Sequence, residues 1–247
     1  MYGGELGRTI VDGLEPMGGY LTLEDMAAMQ VDWVEPISAD YKGYTLWELP
    51  PEGQGVAALQ MLEILEPMEL QDLGHNSAPY FHQLIEATKL AFADLGEYVA
   101  DRDHMEVTTA QMLDPAYIDA RRALIDPNVA AERQDPGDLA TQSETIYLAV
   151  ADRDGNMVSF IHSIYEYFGS GVVIPGTGFV LQNRGAGFTL QEGSPNQVAP
   201  GKRPRSSMSP VIVFDAAGEL KMVAGSPGGN SIPAYVSKVL VRVLRGP

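Results

Sequence analysis

Ser143-Glu144-Thr145-Ile146-Tyr147-Leu148-Ala149-Val150-Ala151 marks the point at which the period of the chain changes. Before it, residues 126–143 hold Pro127, Pro136, Gly137, several acids and small polar residues with no apolar period, the composition of a mobile linker. After it, residues 146–151 predict a buried strand, Asp152-Arg153-Asp154-Gly155-Asn156 a hairpin turn, and residues 157–164 the return strand. A threonine therefore heads a strand directly behind a segment open to scission. If the chain were cut before Thr145, the freed α-amine, which titrates near about pH 8, is a usable base for the neighbouring Oγ. On the residues alone a plainer reading competes: a β-branched residue opens a strand because it fits there.

Upstream, the pattern is mainly helical. Residues 5–14 predict a short amphipathic helix, broken at Gly18-Gly19, and Thr22-Leu23-Glu24-Asp25 is a helix start with a threonine cap and acids in its first turn. Residues 41–49 predict a strand pair around a turn, and Pro50-Pro51-Glu52-Gly53-Gln54-Gly55 a turn-rich loop. Helices follow over about 56–65 and 78–99, and Asp114-Pro115 opens a shorter one running to Leu124. Downstream of the hairpin, glycines punctuate residues 169–187. Strands are predicted at 210–214 and 220–224, then a helix at 234–244. Helices, a linker, and a strand-rich half closed by a helix make an α+β layered architecture.

Composition excludes several functions. The formal net charge is −17, and 16 basic residues are too thinly spread for nucleic acid or an anionic membrane surface. With no cysteine there are no disulfides, thiolate metal sites or cysteine nucleophiles. No stretch approaches the roughly 18 apolar residues of a membrane span. Met1-Tyr2-Gly3-Gly4-Glu5 lacks the basic and apolar regions of a signal peptide, which leaves the compartment open. No Gly-x-Ser-x-Gly, Walker loop, Gly-x-Gly-x-x-Gly or His-Glu-x-x-His occurs, and the four histidines have no metal spacing, so neither metal nor cofactor is expected. His162 reads as a packed or supporting side chain, and Asp101, Asp103 and Glu106 as a solvated turn.

Two further segments have chemistry within reach. Gly225-Ser226-Pro227-Gly228-Gly229-Asn230-Ser231 opens a helix, and its paired glycines expose backbone N–H groups suited to an oxyanion, or simply turn a strand into a helix. Ser206 and Ser207, in a loop fenced by Pro200, Pro204 and Pro210, can hold a carboxylate or be a plain loop.

Taken in order, these segments resemble the gamma-glutamyltranspeptidase family. Gly18-Gly19-Tyr20-Leu21-Thr22 through Asp25, Tyr41-Lys42-Gly43-Tyr44 through the Pro50–Gly55 run, and Glu86-Ala87-Thr88-Lys89-Leu90-Ala91-Phe92-Ala93-Asp94 are similar to its large subunit. Thr145 with Asp152–Asn156, Phe168-Gly169-Ser170-Gly171, Pro200-Gly201-Lys202-Arg203-Pro204 and Gly225-Ser226-Pro227-Gly228-Gly229 are similar to its small subunit. The resemblance covers nearly the whole chain. It implies a partial four-layer αββα N-terminal-nucleophile fold and autocatalytic cleavage between Glu144 and Thr145. Residues 1–144 and 145–247 would then be parts of a large and a small subunit held as a heterodimer.

By position, the resemblance makes Thr145 the nucleophile and Ser163 a hydroxyl supporting the freed amine. Ser206 and Ser207 would grip the substrate carboxylate, and Gly228 and Gly229 would form the oxyanion hole. The implied substrate is a small gamma-glutamyl or related acyl amide, resolved by water or by an amino acid or peptide acceptor. Two departures stand out: Tyr165 where the family commonly has an asparagine, and Gly187 where it commonly has an acid for the substrate ammonium. Gln182-Asn183-Arg184-Gly185 looks like the divergent, hydrolysis-favouring branch with cephalosporin-acylase-like members, with Arg184 as a new anion contact. Family members also extend before Met1 and beyond Pro247. A glutaryl-type acylase and an inactive truncated remnant therefore stand as alternatives.

Overall fold

β1 (Ile37–Tyr41) and β2 (Tyr44–Glu48) form a tight antiparallel hairpin around Lys42 and Gly43, both in the left-handed region. In the computed structural model, which describes residues 2–132 and 144–244, this hairpin starts a four-stranded antiparallel sheet of order β1-β2-β5-β6. The pair begins at Ile37, earlier than the sequence pattern placed it. Ala39 and Tyr41 alternate inward against exposed Ser38 and Asp40, a short period-2 signal. β5 (Val211–Asp215) and β6 (Leu220–Ala224) fall where expected, so one sheet takes strands from both halves of the chain.

Helices cover one face of this sheet. α3 (Gly55–Leu65) is buried along almost its whole length, and it is mostly apolar, with Gln60 and Glu63 its only polar side chains. It packs against the sheet, α4 (Ala78–Tyr98), α6 (Pro115–Arg122) and α7 (Ile232–Val243). Leu59, Leu62 and Leu65 of α3 meet Leu46, Val211 and Val213 of the sheet and Val236 and Leu240 of α7 in a single core. The short α5 (Thr109–Met112) flanks α3, while α1 (Glu5–Leu14) and α2 (Leu23–Ala28), the latter with the Thr22–Asp25 capping box formed, pack on each other. Lys89 donates to the Ala131 carbonyl at 3.0 Å, and the Ala131 N–H donates to Glu86 at 3.3 Å, which ties the chain down where the predicted linker begins. Residues 133–143 of that linker lie outside the described residues.

β3 (Glu144–Ala151) and β4 (Met157–Tyr165) pair as a separate two-stranded ribbon. The turn is as expected, with Asp152 accepting from the Asp154 and Asn156 N–H groups and Gly155 at φ +87°. The expectation of a buried strand is not met. One face leans on the β6 end, where Ser159 Oγ donates to the Ala224 carbonyl at 3.4 Å. The other carries Ile146 at 71% exposure beside half-exposed Leu148, Val150, Val158 and Phe160. Burial of a strand depends on what packs on each face, and no described element packs on this one.

Candidate active site

Thr145 sits at a break in the ribbon ladder. Glu144 pairs with Tyr165 and Ile146 with His162, so Thr145 alone opposes two residues, Ser163 and Ile164. Such a bulge re-aims the side chains around it. Thr145 Oγ1 and Ser163 Oγ lie 3.5 Å apart, and the Tyr165 N–H donates to Ser163 Oγ at 2.9 Å. These two hydroxyls line a cavity with His162, Ile164, Glu166 and Tyr167. His162 is exposed, so of its two expected roles the packed one is not met, and it stands beside the hydroxyl pair instead. Tyr165 has φ +81°, a conformation that costs a bulky residue of order 1–3 kcal/mol, at the position where the resemblance expects an asparagine.

The glycine turn stands beside this ribbon. The Tyr147 ring lies so close to Gly225 that a Cβ there would come within 2.3 Å of it, so the strand carrying Thr145 abuts the start of the turn. Gly228 at φ +135° and Gly229 at φ +56° adopt backbone that side-chain-bearing residues avoid, and a Cβ on Gly228 would also meet Tyr235 at 2.8 Å. α7 follows immediately.

Ser207 is buried, and its Oγ has no hydrogen-bonding partner among the described residues. It lines a second cavity with Tyr165, Gly187, Asn196, Arg205 and Asn230. Ser206 is tied to the Pro50–Gly55 loop, its N–H donating to the Glu52 carbonyl at 2.8 Å. The Arg184 guanidinium lies 5.3 Å from the centre of the Tyr165 ring. Its two terminal nitrogens are buried without a hydrogen-bonding partner among the described residues, and burial lowers its pKa. Thus Thr145 and Ser163 share one cavity, Ser207 and Tyr165 another, with the Tyr165 backbone joining the two. Ser206, Arg184 and the Gly228–Gly229 pair line neither cavity, and no described hydrogen bond links Thr145 to Ser207 or to the glycine pair.

Several residues here were invisible to pattern. Arg205 is half-buried, donates to the Leu95 carbonyl at 3.0 Å, and has its pKa lowered by burial. Asn196 receives the Arg205 N–H at 3.0 Å and donates to the Gly187 carbonyl at 2.7 Å. Asp101 is buried rather than solvated. It accepts the Arg203 N–H at 2.8 Å and so anchors the serine loop.

Behind that loop, buried Glu48 accepts from Ser209 Oγ, while its other oxygen has no described partner. Burial pushes its carboxyl from 4.5 to about 8, against the opposing bonds from Ser209 and Leu49. The folded state therefore holds a proton that the unfolded chain releases. Stability from this group is full below pH 4.5 and is lost as pH rises through about 8. Glu63, raised to about 7, adds a slope of the same sign. The melting temperature of Glu48→Gln, relative to the parent, is expected to climb between pH 5 and 8. Parallel pH profiles would contradict it.

The chain is similar to known proteins over nearly its whole length. Residues 1–246 match the family described as Gamma-glutamyltranspeptidase. The chain is 36% identical over 244 residues to the glutathione hydrolase-like YwrD proenzyme of Bacillus subtilis (strain 168), covering 98% of this chain and 45% of that protein. It is 36% identical over 245 residues to the acylase ACY 1 proenzyme of Pseudomonas sp. (strain SE83), covering 99% and 44%. The crystal structure of a cephalosporin acylase from Bacillus halodurans superposes with a TM-score of 0.88 at 41% identity, over 98% of this chain and 44% of that one. The chain thus spans less than half the length of these relatives, and the α+β N-terminal-nucleophile fold is the one they share with it.

Proposed function

The chain belongs to the gamma-glutamyltranspeptidase family, and on that premise we propose that it is part of a threonine amidohydrolase that matures by scission between Glu144 and Thr145. The observation that carries this is Thr145 itself: a hydroxyl at a ladder break, facing Ser163 across 3.5 Å in an accessible cavity. Attack of Thr145 Oγ on the Glu144 carbonyl would move the acyl chain from nitrogen to oxygen and so free the α-amine, and water would hydrolyse that ester to the Glu144 carboxylate and the Thr145 hydroxyl. The amine then takes the Oγ proton as Oγ attacks the substrate amide. Gly228 and Gly229 N–H groups stabilise the tetrahedral oxyanion, the amine product leaves with the proton, and water or an amino acid resolves the acyl-enzyme. Ser163, already accepting from the Tyr165 N–H, holds its hydroxyl beside the Thr145 pair. Residues 1–144 and 145–247 would remain together through the β2–β5 ladder and the α3–α7 packing.

The acyl group is a second question. The Ser207 cavity has no carboxylate in its lining, and it contains half-buried Arg205 and the bare backbone of Gly187. A chain end carrying a carboxylate suits it; an ammonium finds no counter-charge there. Glu166 lines only the neighbouring Thr145 cavity. This favours a glutaryl-type acyl group over gamma-glutamyl. A charge-assisted contact contributes about 1.5–3 kcal/mol, so its absence should remove the usual advantage of the ammonium. Nitroaniline release is expected to be about tenfold faster, in kcat/KM, from glutaryl than from gamma-glutamyl nitroanilide. A clear preference for the gamma-glutamyl compound would reverse the assignment.

A further inference from the structure

Gln54 closes the turn-rich loop at the start of α3, and only 1% of it is exposed. Its amide nitrogen donates to two carbonyls, Ser207 at 2.6 Å and Gly229 at 2.8 Å. Both protons of one amide are thereby used, one on the serine loop and one on the glycine turn. We propose that Gln54 is a positioning residue, a strut that sets the span between the carboxylate-holding loop and the oxyanion donors without touching substrate. The proposal rests on the assignment of those two segments given above.

Two features require such a strut. Gly229 has no side chain to brace the turn, and its carbonyl takes the Ile232 N–H from the helix side and the Gln54 amide from the loop side, so Gln54 is the bond that ties the turn to the serine loop. Holding the Gly229 carbonyl anchors the residue whose own N–H is one of the two proposed oxyanion donors. Asn230 lines the Ser207 cavity. At the other end, the Ser207 carbonyl is held while its buried Oγ is left without a described partner, so the loop is fixed but the hydroxyl stays available.

The foot of the strut is itself rigid. The Gly53 N–H donates to the Pro50 carbonyl, Gly53 bridges to Ser206, and the Ser206 N–H donates to the Glu52 carbonyl. Gly55 leaves no room for a side chain, since a Cβ would come within 2.6 Å of the Glu48 carboxylate. Asparagine is one methylene too short for both bonds. Glutamate would set a carboxylate against two carbonyls, and methionine fills the space with no donor.

The test uses the full chain in two forms. In a Thr145→Ala background, glutarate binding is measured by calorimetry without chemistry. With Thr145 intact, kcat and KM are measured on glutaryl nitroanilide. Gln54→Met is expected to weaken glutarate binding about tenfold and to lower kcat about 100-fold, because displacing donors by about an ångström costs that much. Gln54→Asn serves where Gln54→Met does not fold, with the same expectation. A purely structural role predicts a lower melting temperature with kcat and Kd within twofold of the parent, and that result overturns the proposal. Absence of glutarate binding by the Thr145→Ala parent also overturns it. If the parent binds glutarate but never turns over, the threonine mechanism fails, and the shift in Kd alone decides whether Gln54 positions the site.

Discussion

Thr145→Val is expected to yield one uncut polypeptide with amide hydrolysis reduced at least about 1,000-fold, whereas Thr145→Ser retains both cleavage and turnover at a slower rate. Valine is the informative replacement because it keeps the branched shape and the strand preference of threonine and deletes only the hydroxyl. The ladder break opposite Ser163 and Ile164 should survive it, so a lost activity cannot be ascribed to a lost strand. Serine keeps the hydroxyl and, after scission, the adjacent amine. Initial rates on glutaryl nitroanilide, beside a circular dichroism spectrum for each variant, separate the cases. A folded Thr145→Val protein with more than about a tenth of parental activity would mean that another group attacks the amide.

The largest effect on stability is expected at Asp94. Its carboxylate lies on α4, 4% exposed, 2.9 Å from Arg121 of α6 and 3.0 Å from the Gln60 amide of α3. One side chain therefore joins three helices. Burial pushes the Asp94 carboxyl up more strongly than Arg121, Tyr117 and Gln60 pull it down, so the pair holds geometry more than it lowers energy. Taking away one partner is a different matter. Asp94→Ala leaves the Arg121 charge in a site where its side chain is only 15% exposed and strips Gln60 of an acceptor. The expected loss is about 3 kcal/mol, the lower end for a buried pair because Arg121 keeps some solvent and its bond to the Leu90 carbonyl. For a chain of this length that lowers the melting temperature by roughly 6–12 °C. Asp94→Ala with Arg121→Met should recover most of it, since neither charge is then orphaned. A single variant melting within about 1 °C of the parent would show that the pair is solvated in solution.

How far the chain could be read from its letters depended on the range of the interaction. The Thr22–Asp25 capping box and the Asp152 turn are made by neighbours in sequence and were legible. The helix over Gly55–Leu65 was legible too, because Leu59, Leu62 and Leu65 recur at helical spacing. Failures came where a partner lies far along the chain. Ile37–Tyr41 has only five residues, and its strand identity comes from pairing with β2. Ile146, Leu148 and Val150 read as buried because they are apolar, yet exposure is decided by what packs on that face. Asp101 read as a solvated acid, and its bond to the Arg203 N–H spans 102 positions. Gln54 lies in a turn motif that its glycines and prolines account for, and no local pattern signals that its amide reaches the serine loop and the glycine turn at once. Of the candidate site, the hydroxyls and glycines could be named from the resemblance. The side chains that hold them in place could not, because pattern does not encode long-range hydrogen bonds.

Intact-mass spectrometry of the purified 247-residue chain, followed over hours of incubation, addresses the scission at Thr145 most directly. Conversion to two polypeptides, one ending at Glu144 and the other beginning at Thr145, and no such conversion in Thr145→Val, is the predicted result. A persistent single mass for the unaltered chain would contradict it.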